Sequence, residues 1–214
     1  MAGTTTNGFP YPESTDFVTD GAQAIKDLAV DVDKQLGLWK IDDLTATFTG
    51  GTAGTVSNGT ITIGSANTKI TVSNAFNSKF DNYRIVYSVN SISAANATIR
   101  MELGASVANY NSARFLVPFD STSTSVGATA EASGLIGVAV SAEGADGSFD
   151  IFRPNLAKYT TWFCSNIFRN TGTAGQLNMI GGLHQVSTAY TGFSFFMSSG
   201  SFTGGKIRVY GYNN

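Results

Sequence analysis

Charge is what this chain has least of. Acidic and basic residues make up 13% of its 214 residues, about half the usual share of a globular domain. Neither sign gathers into a block. Residues 1–43 carry eight acids against three lysines and the rest carry seven acids against ten bases, for a net charge of −2. Without a stripe of Lys and Arg interleaved with aromatics there is no polyanion-binding face, so nucleic acid is not an expected partner. Cysteine is nearly missing as well. Cys164 is the only one, which excludes an internal disulfide framework. It sits in the apolar run Trp162–Ser165 and reads as a small buried hydrophobe.

Chemistry-bearing clusters are equally scarce. One histidine, His184, and one cysteine cannot build a zinc site. Gly181-Gly182-Leu183-His184 reads as the end of a strand, and no Gly-x-Ser-x-Gly elbow offers a nucleophile. Glu143, Asp146 and Asp150 fall within eight residues of a glycine-rich stretch. Such oxygen ligands hold Ca²⁺ in some loops, but the run does not match an EF-hand and a solvated turn is expected. Paired carboxylates for glycoside hydrolysis are scarce in the body of the chain. Asn58-Gly59-Thr60 and Asn96-Ala97-Thr98 match the glycosylation sequon, which has no meaning without export. The expectation is a protein with no catalytic residue, no cofactor and no metal. Nor is there a basic start followed by an apolar segment, or an apolar run of about 18 residues. Synthesis in the cytoplasm, no signal peptide and no membrane insertion are the corresponding expectations.

What is present is hydroxyl, glycine and enough apolar side chain for a core. Ser and Thr number 47 against 28 charged residues, beside 24 Gly, only four Pro and 42% hydrophobic residues. That composition suits many short strands joined by turns. A neutral, hydroxyl-rich surface also lacks the charges that keep copies apart, as suits a protein working inside a symmetric assembly.

Three segments follow from the patterning: an extended arm over residues 1–19, a helix over 20–37 and a β-sandwich over 38–214. In the arm, Phe9-Pro10-Tyr11-Pro12 is pre-stiffened, because each proline drives the residue before it into extended conformation. Two aromatics on such an arm make an anchoring peg for another protein; folding back on the chain's own domain is the alternative. The helix begins at Asp20 as N-cap, with Gln23 completing a capping box, and ends at Gly37. Ala22, Ile25, Ala29, Val32 and Leu36 recur at three- and four-residue spacings, with Leu28 beside them. That is the rhythm of a helix seam. Two heptads are marginal alone, so a bundle of identical helices is favoured over packing on the chain's own body.

Beyond Leu38 the period changes to two. Residues 61–63, 69–72, 83–89, 98–103, 114–117, 135–138, 160–168, 192–197 and 206–212 read as strands. Turn formers such as Asn58-Gly59 separate them. Nine or ten strands without a helix make a mainly β protein, a β-sandwich or jelly roll. Gly50–Thr55 and the Ser/Thr/Ala-rich stretch Asp120–Ser133 are expected to be loops, the second long enough to be a tip loop or a contact between copies.

Three stretches resemble tailed-bacteriophage virion proteins. Gly8-Phe9-Pro10-Tyr11-Pro12-Glu13-Ser14-Thr15-Asp16, followed by Asp20-Gly21-Ala22-Gln23-Ala24-Ile25 and Leu28-Ala29, resembles the N-terminal segment of fibre proteins. Phe80–Val86 resembles an early strand, and Gly200–Gly211 the closing strand, of phage jelly-roll domains. The resemblance implies a trimeric, non-enzymatic virion appendage of the short tail fibre or head fibre type. Its N-terminal arm would insert among other virion proteins, with a distal sandwich for host cell-surface glycans or proteins. Tyr110, Trp162 and Tyr190 are then candidates for stacking on saccharides, with burial in the core, the fate of most such aromatics in a sandwich, as the alternative. A capsid decoration protein is the alternative, and an extracellular carbohydrate-binding domain a remote one.

Overall fold

The computed structural model describes residues 37–141, 143–168 and 175–213, together with Gly3, Thr4, Pro10, Tyr11, Gly21 and residues 23–28. The backbone divides into two units, Met1–Trp39 and Lys40–Tyr212.

In the first unit, β1 (Gly3–Thr4) pairs antiparallel with β2 (Pro10–Tyr11). Within the segment expected to be an extended arm, these two pieces are extended and pair with each other, Tyr11 as the following proline requires. Helical backbone is present at Gly21 and over residues 23–28. Ala24 is buried, Ile25 is 63% exposed, and Gln23 Nε2 donates to Asp27 Oδ1 at 2.6 Å. Phe9, Pro12, Asp20, Ala22, Ala29, Val32 and Leu36 lie outside the described residues, as do the side chains of Pro10 and Tyr11.

After β3 (Trp39–Lys40), the second unit is built from β4 (Thr45–Thr49), β5 (Thr55–Ser57), β6 (Thr60–Ile63), β7 (Lys69–Ser73), β8 (Asn82–Val89), β9 (Asn96–Leu103) and β10 (Tyr110–Pro118). It continues through β11 (Thr124–Glu131), β12 (Gly134–Val140), β13 (Ala145–Phe152), β14 (Thr160–Phe168), β15 (Gln176–His184), β16 (Phe193–Met197) and β17 (Gly205–Tyr212). The longer sheet runs β11-β10-β15-β14-β13-β8-β17-β6-β5, and the shorter runs β12-β9-β16-β7-β4. The pairings are antiparallel, and the two sheets enclose one core, so this unit is a β-sandwich.

All nine strands expected from the alternation are present; β4, β5, β11 and β13 were not anticipated, and of β15 only its end at Gly181–His184 was. β5 spans only three residues and β13 carries Asp146-Gly147 near its start, whereas β4 does alternate, with Ala46 and Phe48 between threonines. Most of Asp120–Ser133 is a strand rather than a loop, because β11 (Thr124–Glu131) pairs with β10. The Gly144–Gly147 turn shrinks to its first residue, since β13 begins at Ala145 and pairs with both β8 and β14. Gly50–Thr55 is pinned, not featureless. The fully buried Asn67 donates to the carbonyls of Gly50 at 2.5 Å and Thr52 at 3.1 Å.

Tyr83, Ile85 and Tyr87 of β8, Phe149 of β13 and Ile207 of β17 face Ile70, Ile99, Met101, Phe193 and Phe195 from the shorter sheet. Each such side chain contributes on the order of 1.5–3 kcal/mol by leaving water. The last two strands sit inside the sheets: β17 lies between β8 and β6, and β16 between β9 and β7. The C-terminal residues thereby close both layers.

Candidate interaction face

In a β-sandwich the inner faces take the apolar side chains and the outer faces meet water. The shorter sheet follows this rule. Lys69 of β7 forms an ion pair with Glu102 of β9 and lies 5.1 Å from the ring centroid of Phe196, while the Thr71 and Ser194 hydroxyls are 3.2 Å apart. Arg100 pairs with Glu131.

The longer sheet breaks the rule at one end. Across β10, β15 and β14, residues in register share a face. Their outward rows are Ala113–Gly181–Phe163, Phe115–Met179–Ser165 and Val117–Leu177–Ile167. No charged residue occurs in these rows. Phe115, Phe163, Ile167 and Met179 are 41–53% exposed, and Phe119, just past β10, is 58% exposed. With an aromatic side chain covering about 150–250 Å², these five leave roughly 500 Å² open to water. That is as large as the largest apolar patch of an ordinary monomer, about 300–600 Å².

The face has relief. A hollow of about 530 Å³ has Gly127, Ala113 and Gly181 across its middle and Phe115, Met179 and Phe163 along its sides. Nothing stands within 4 Å of where a Cβ of Gly127 or Gly181 would be. Toward β13 the apolar rows meet carboxylates, Asp150 beside Phe163 and Asp146 beside Ile167. Asp150 is neutralised in place: Arg84 Nε donates to Oδ1 at 2.8 Å and Arg84 Nη2 to Oδ2 at 2.6 Å. That hydrogen-bonded carboxylate raises the Arg84 pKa, against a smaller opposing effect of desolvation.

The two sheet edges at this end differ. β12 is an edge strand whose outward groups are satisfied by side chains of the longer sheet. Ser112 Oγ accepts from Leu135 N at 3.2 Å, Trp162 Nε1 donates to Leu135 O at 3.0 Å, and Tyr87 Oη donates to Ile136 O at 2.9 Å. Asn166 Oδ1 accepts from Val138 N at 2.9 Å. β11, in contrast, has a strand on one side only among the described residues. Edges are normally blunted by Lys, Pro or bulges. The run Thr124–Ala130 has no charge and no proline; the device present is a register shift at Tyr110/Ser112 with Ala130 at φ 55°.

The residues expected to carry saccharide stacking are elsewhere. Tyr110, Trp162 and Tyr190 are all buried, because their polar tips find partners inside. Tyr110 Oη donates to Ser106 O and accepts from Leu103 N, and its ring stacks on His184 at 4.1 Å. His184 is the last residue of β15 and fully buried, with Nε2 2.9 Å from Tyr190 Oη and no full hydrogen bond at Nδ1. Burial lowers its pKa, opposed in part by the Asn109 backbone. Cys164 is fully buried, and desolvation pushes its thiol up to about 12. Among the described residues no three of His, Cys, Asp and Glu converge as metal ligands, and no helix is long and apolar enough to cross a membrane. Sequence reasoning missed the apolar face, although Phe163, Ile167 and Met179 each alternate with an inward residue of β14 or β15. Apolar residues on both faces, with Asn166 and Asn178 among the buried positions, hide which face is the core.

The fold is a β-sandwich whose longer sheet carries an uncharged, apolar patch on its outer side. No protein-family model matches the chain, and no curated protein matches it.

Proposed function

We propose that this is a non-enzymatic structural protein that works as an assembly of identical copies, in the manner of a phage virion appendage such as a short tail fibre or spike. The observation that supports this best is the uncharged, apolar outer face of β10, β14 and β15. Its occupant in this reading is a second copy of the chain. Neutral surface on both partners carries no like-charge penalty, and roughly 500 Å² is a large part of the about 800 Å² each partner buries in a stable complex. The open edge of β11 adjoins the face and adds main-chain groups to the contact. In a trimer, such faces turn toward the threefold axis.

Residues 9–12 and the seam Ala22, Ile25, Leu28, Ala29, Val32 and Leu36 belong to the same reading, as anchor in the particle and trimerisation segment. The exposure of Ile25 favours a partner for that seam. A distal end of the sandwich would then meet a host glycan or protein. The runner-up is a capsid decoration or head fibre, which uses the same anchor and assembly face.

Sedimentation of the whole chain tests the assembly. The wild type is expected to be a discrete oligomer, and Phe115→Asp with Phe163→Asp to shift it to smaller species while melting stays cooperative. A monomeric wild type at micromolar concentration would defeat the reading. Immunogold labelling of particles separates tail from head.

A further inference from the structure

Arg114 borders the hollow beside Phe115 and also, on the other side of β10, a second feature that the assembly reading does not use. Arg114 shares the core-side face with Ile180, its partner in register on β15; Val126 of β11 flanks it on the other side. Its side chain lines a cleft of about 230 Å³ where β10 passes β9 and β12. The other half-buried cations flanked by carboxylates are matched: Lys69 to Glu102, Arg84 to Asp150 and Arg100 to Glu131. Arg114 is not. Among the described residues its strand neighbours are apolar, no carboxylate lines the cleft, and its buried Nε has no hydrogen-bond partner. Desolvation alone acts on it, lowering its pKa. A guanidinium whose Nε is buried without an acceptor is poised for one from outside.

The rest of the lining narrows what that acceptor is attached to. Asn96, Gln176 and Thr98 bring amide and hydroxyl groups, and Leu116, Val138 and Phe168 bring apolar surface. Amides that both donate and accept suit the hydroxyls of a sugar ring, with apolar side chains against its C–H groups. One guanidinium matches the single charge of a carboxylate, whereas a phosphate draws several cations or a helix N-terminus. A peptide main chain would need a free strand edge. On β12 that edge is closed, because Val138 N is bonded to Asn166, and Val140 N and O are bonded to Gly144.

We propose that the cleft at Arg114 is a binding site for an acidic monosaccharide unit of the hexuronic type, its carboxylate held by the Arg114 guanidinium and its hydroxyls by Gln176 and Asn96. The site does not depend on assembly through the opposite face.

The test is calorimetric or NMR titration of the full chain with glucuronate, with glucose as the neutral counterpart and N-acetylglycine as a carboxylate without a sugar. Glucuronate is expected to bind at least tenfold more tightly than glucose. Arg114→Gln should erase that preference, and Arg114→Lys, with charge but no fork, should fall between. Equal binding of glucuronate and glucose by the wild type overturns the proposal, as does an unchanged preference in a folded Arg114→Gln protein. N-acetylglycine binding as well as glucuronate overturns the sugar assignment. If Arg114→Gln does not fold, Gln176→Ala carries the test: a severalfold loss for glucuronate is expected, and no loss overturns the site.

Discussion

Glycines 181 and 182 are neighbours in sequence with opposite tasks. A Cβ on Gly182 would lie 2.0 Å from the Trp162 ring, whereas one on Gly181 would meet nothing within 4 Å. Trp162 is buried and bonded to the Leu135 carbonyl, so the ring cannot step aside. Gly182→Ala is expected to cost about 1–3 kcal/mol through overpacking. Gly181→Ala should be neutral or stabilising by up to about 1 kcal/mol, since it restricts the unfolded chain. Urea unfolding of the pair reads the difference directly. His184 gives a second outcome at this scale. Its folded pKa lies below the ordinary value of 6.5 because burial disfavours the cation. The unfolded chain therefore takes up the proton first as pH falls through 6.5, and stability declines from there toward the folded pKa. Melting temperatures at pH 7.5 and 5.5 should differ for the wild type, and that part of the difference should vanish in His184→Gln.

Among the elements, β12 shows how an edge strand is closed without a neighbour. Side chains from β8, β10 and β14 take over the work of a missing strand, and Asn166 is the hub. Its Oδ1 accepts from Val138 N and from Asn178 Nδ2, while its own Nδ2 donates to Asp146 O at 3.2 Å. Asn166→Leu keeps the volume but leaves these groups unpaired in the core, each costing about 1–3 kcal/mol. Lower stability is expected together with faster hydrogen exchange at the Val138 amide; unchanged exchange there would mean that the edge is held by packing alone. Strands of this kind were the hardest to read in advance. β14 announces itself by Thr160, Trp162, Cys164 and Phe168 at every second position. β11 offers only Val126, Ala128 and Ala130 among Thr, Ser and Gly, and β13 carries Asp146-Gly147 after its first residue, which reads as a turn until β8 and β14 are placed on either side of it.

For the whole molecule, the contrast between the two outer faces matters most. One sheet presents ion pairs and hydroxyls; the other presents Phe115, Phe163, Ile167 and Met179 to water. In the proposed assembly an Asp at Phe163 must be buried without a partner, which strongly opposes association. The effect of the double Phe→Asp variant should therefore fall on oligomer size and leave the sandwich standing, since both side chains point away from the core. Arg114, on the other side of the same strand, should be indifferent to that change if its cleft is an independent site.

Composition and local periodicity alone determined that this is a mainly β protein with a buried lone cysteine and a histidine ending a strand. Those properties depend on neighbours a few residues away. Alternation reports which side chains share a face, and an apolar run reports burial. Which face becomes the core, which strands end up at an edge, and which cation is left without a carboxylate were decided only by tertiary structure. Arg84 and Asp150 are 66 residues apart and meet because β8 and β13 pair in that register, whereas Arg114 is left beside Val126 and Ile180. Such pairings are set by the register of distant strands, which local sequence does not encode.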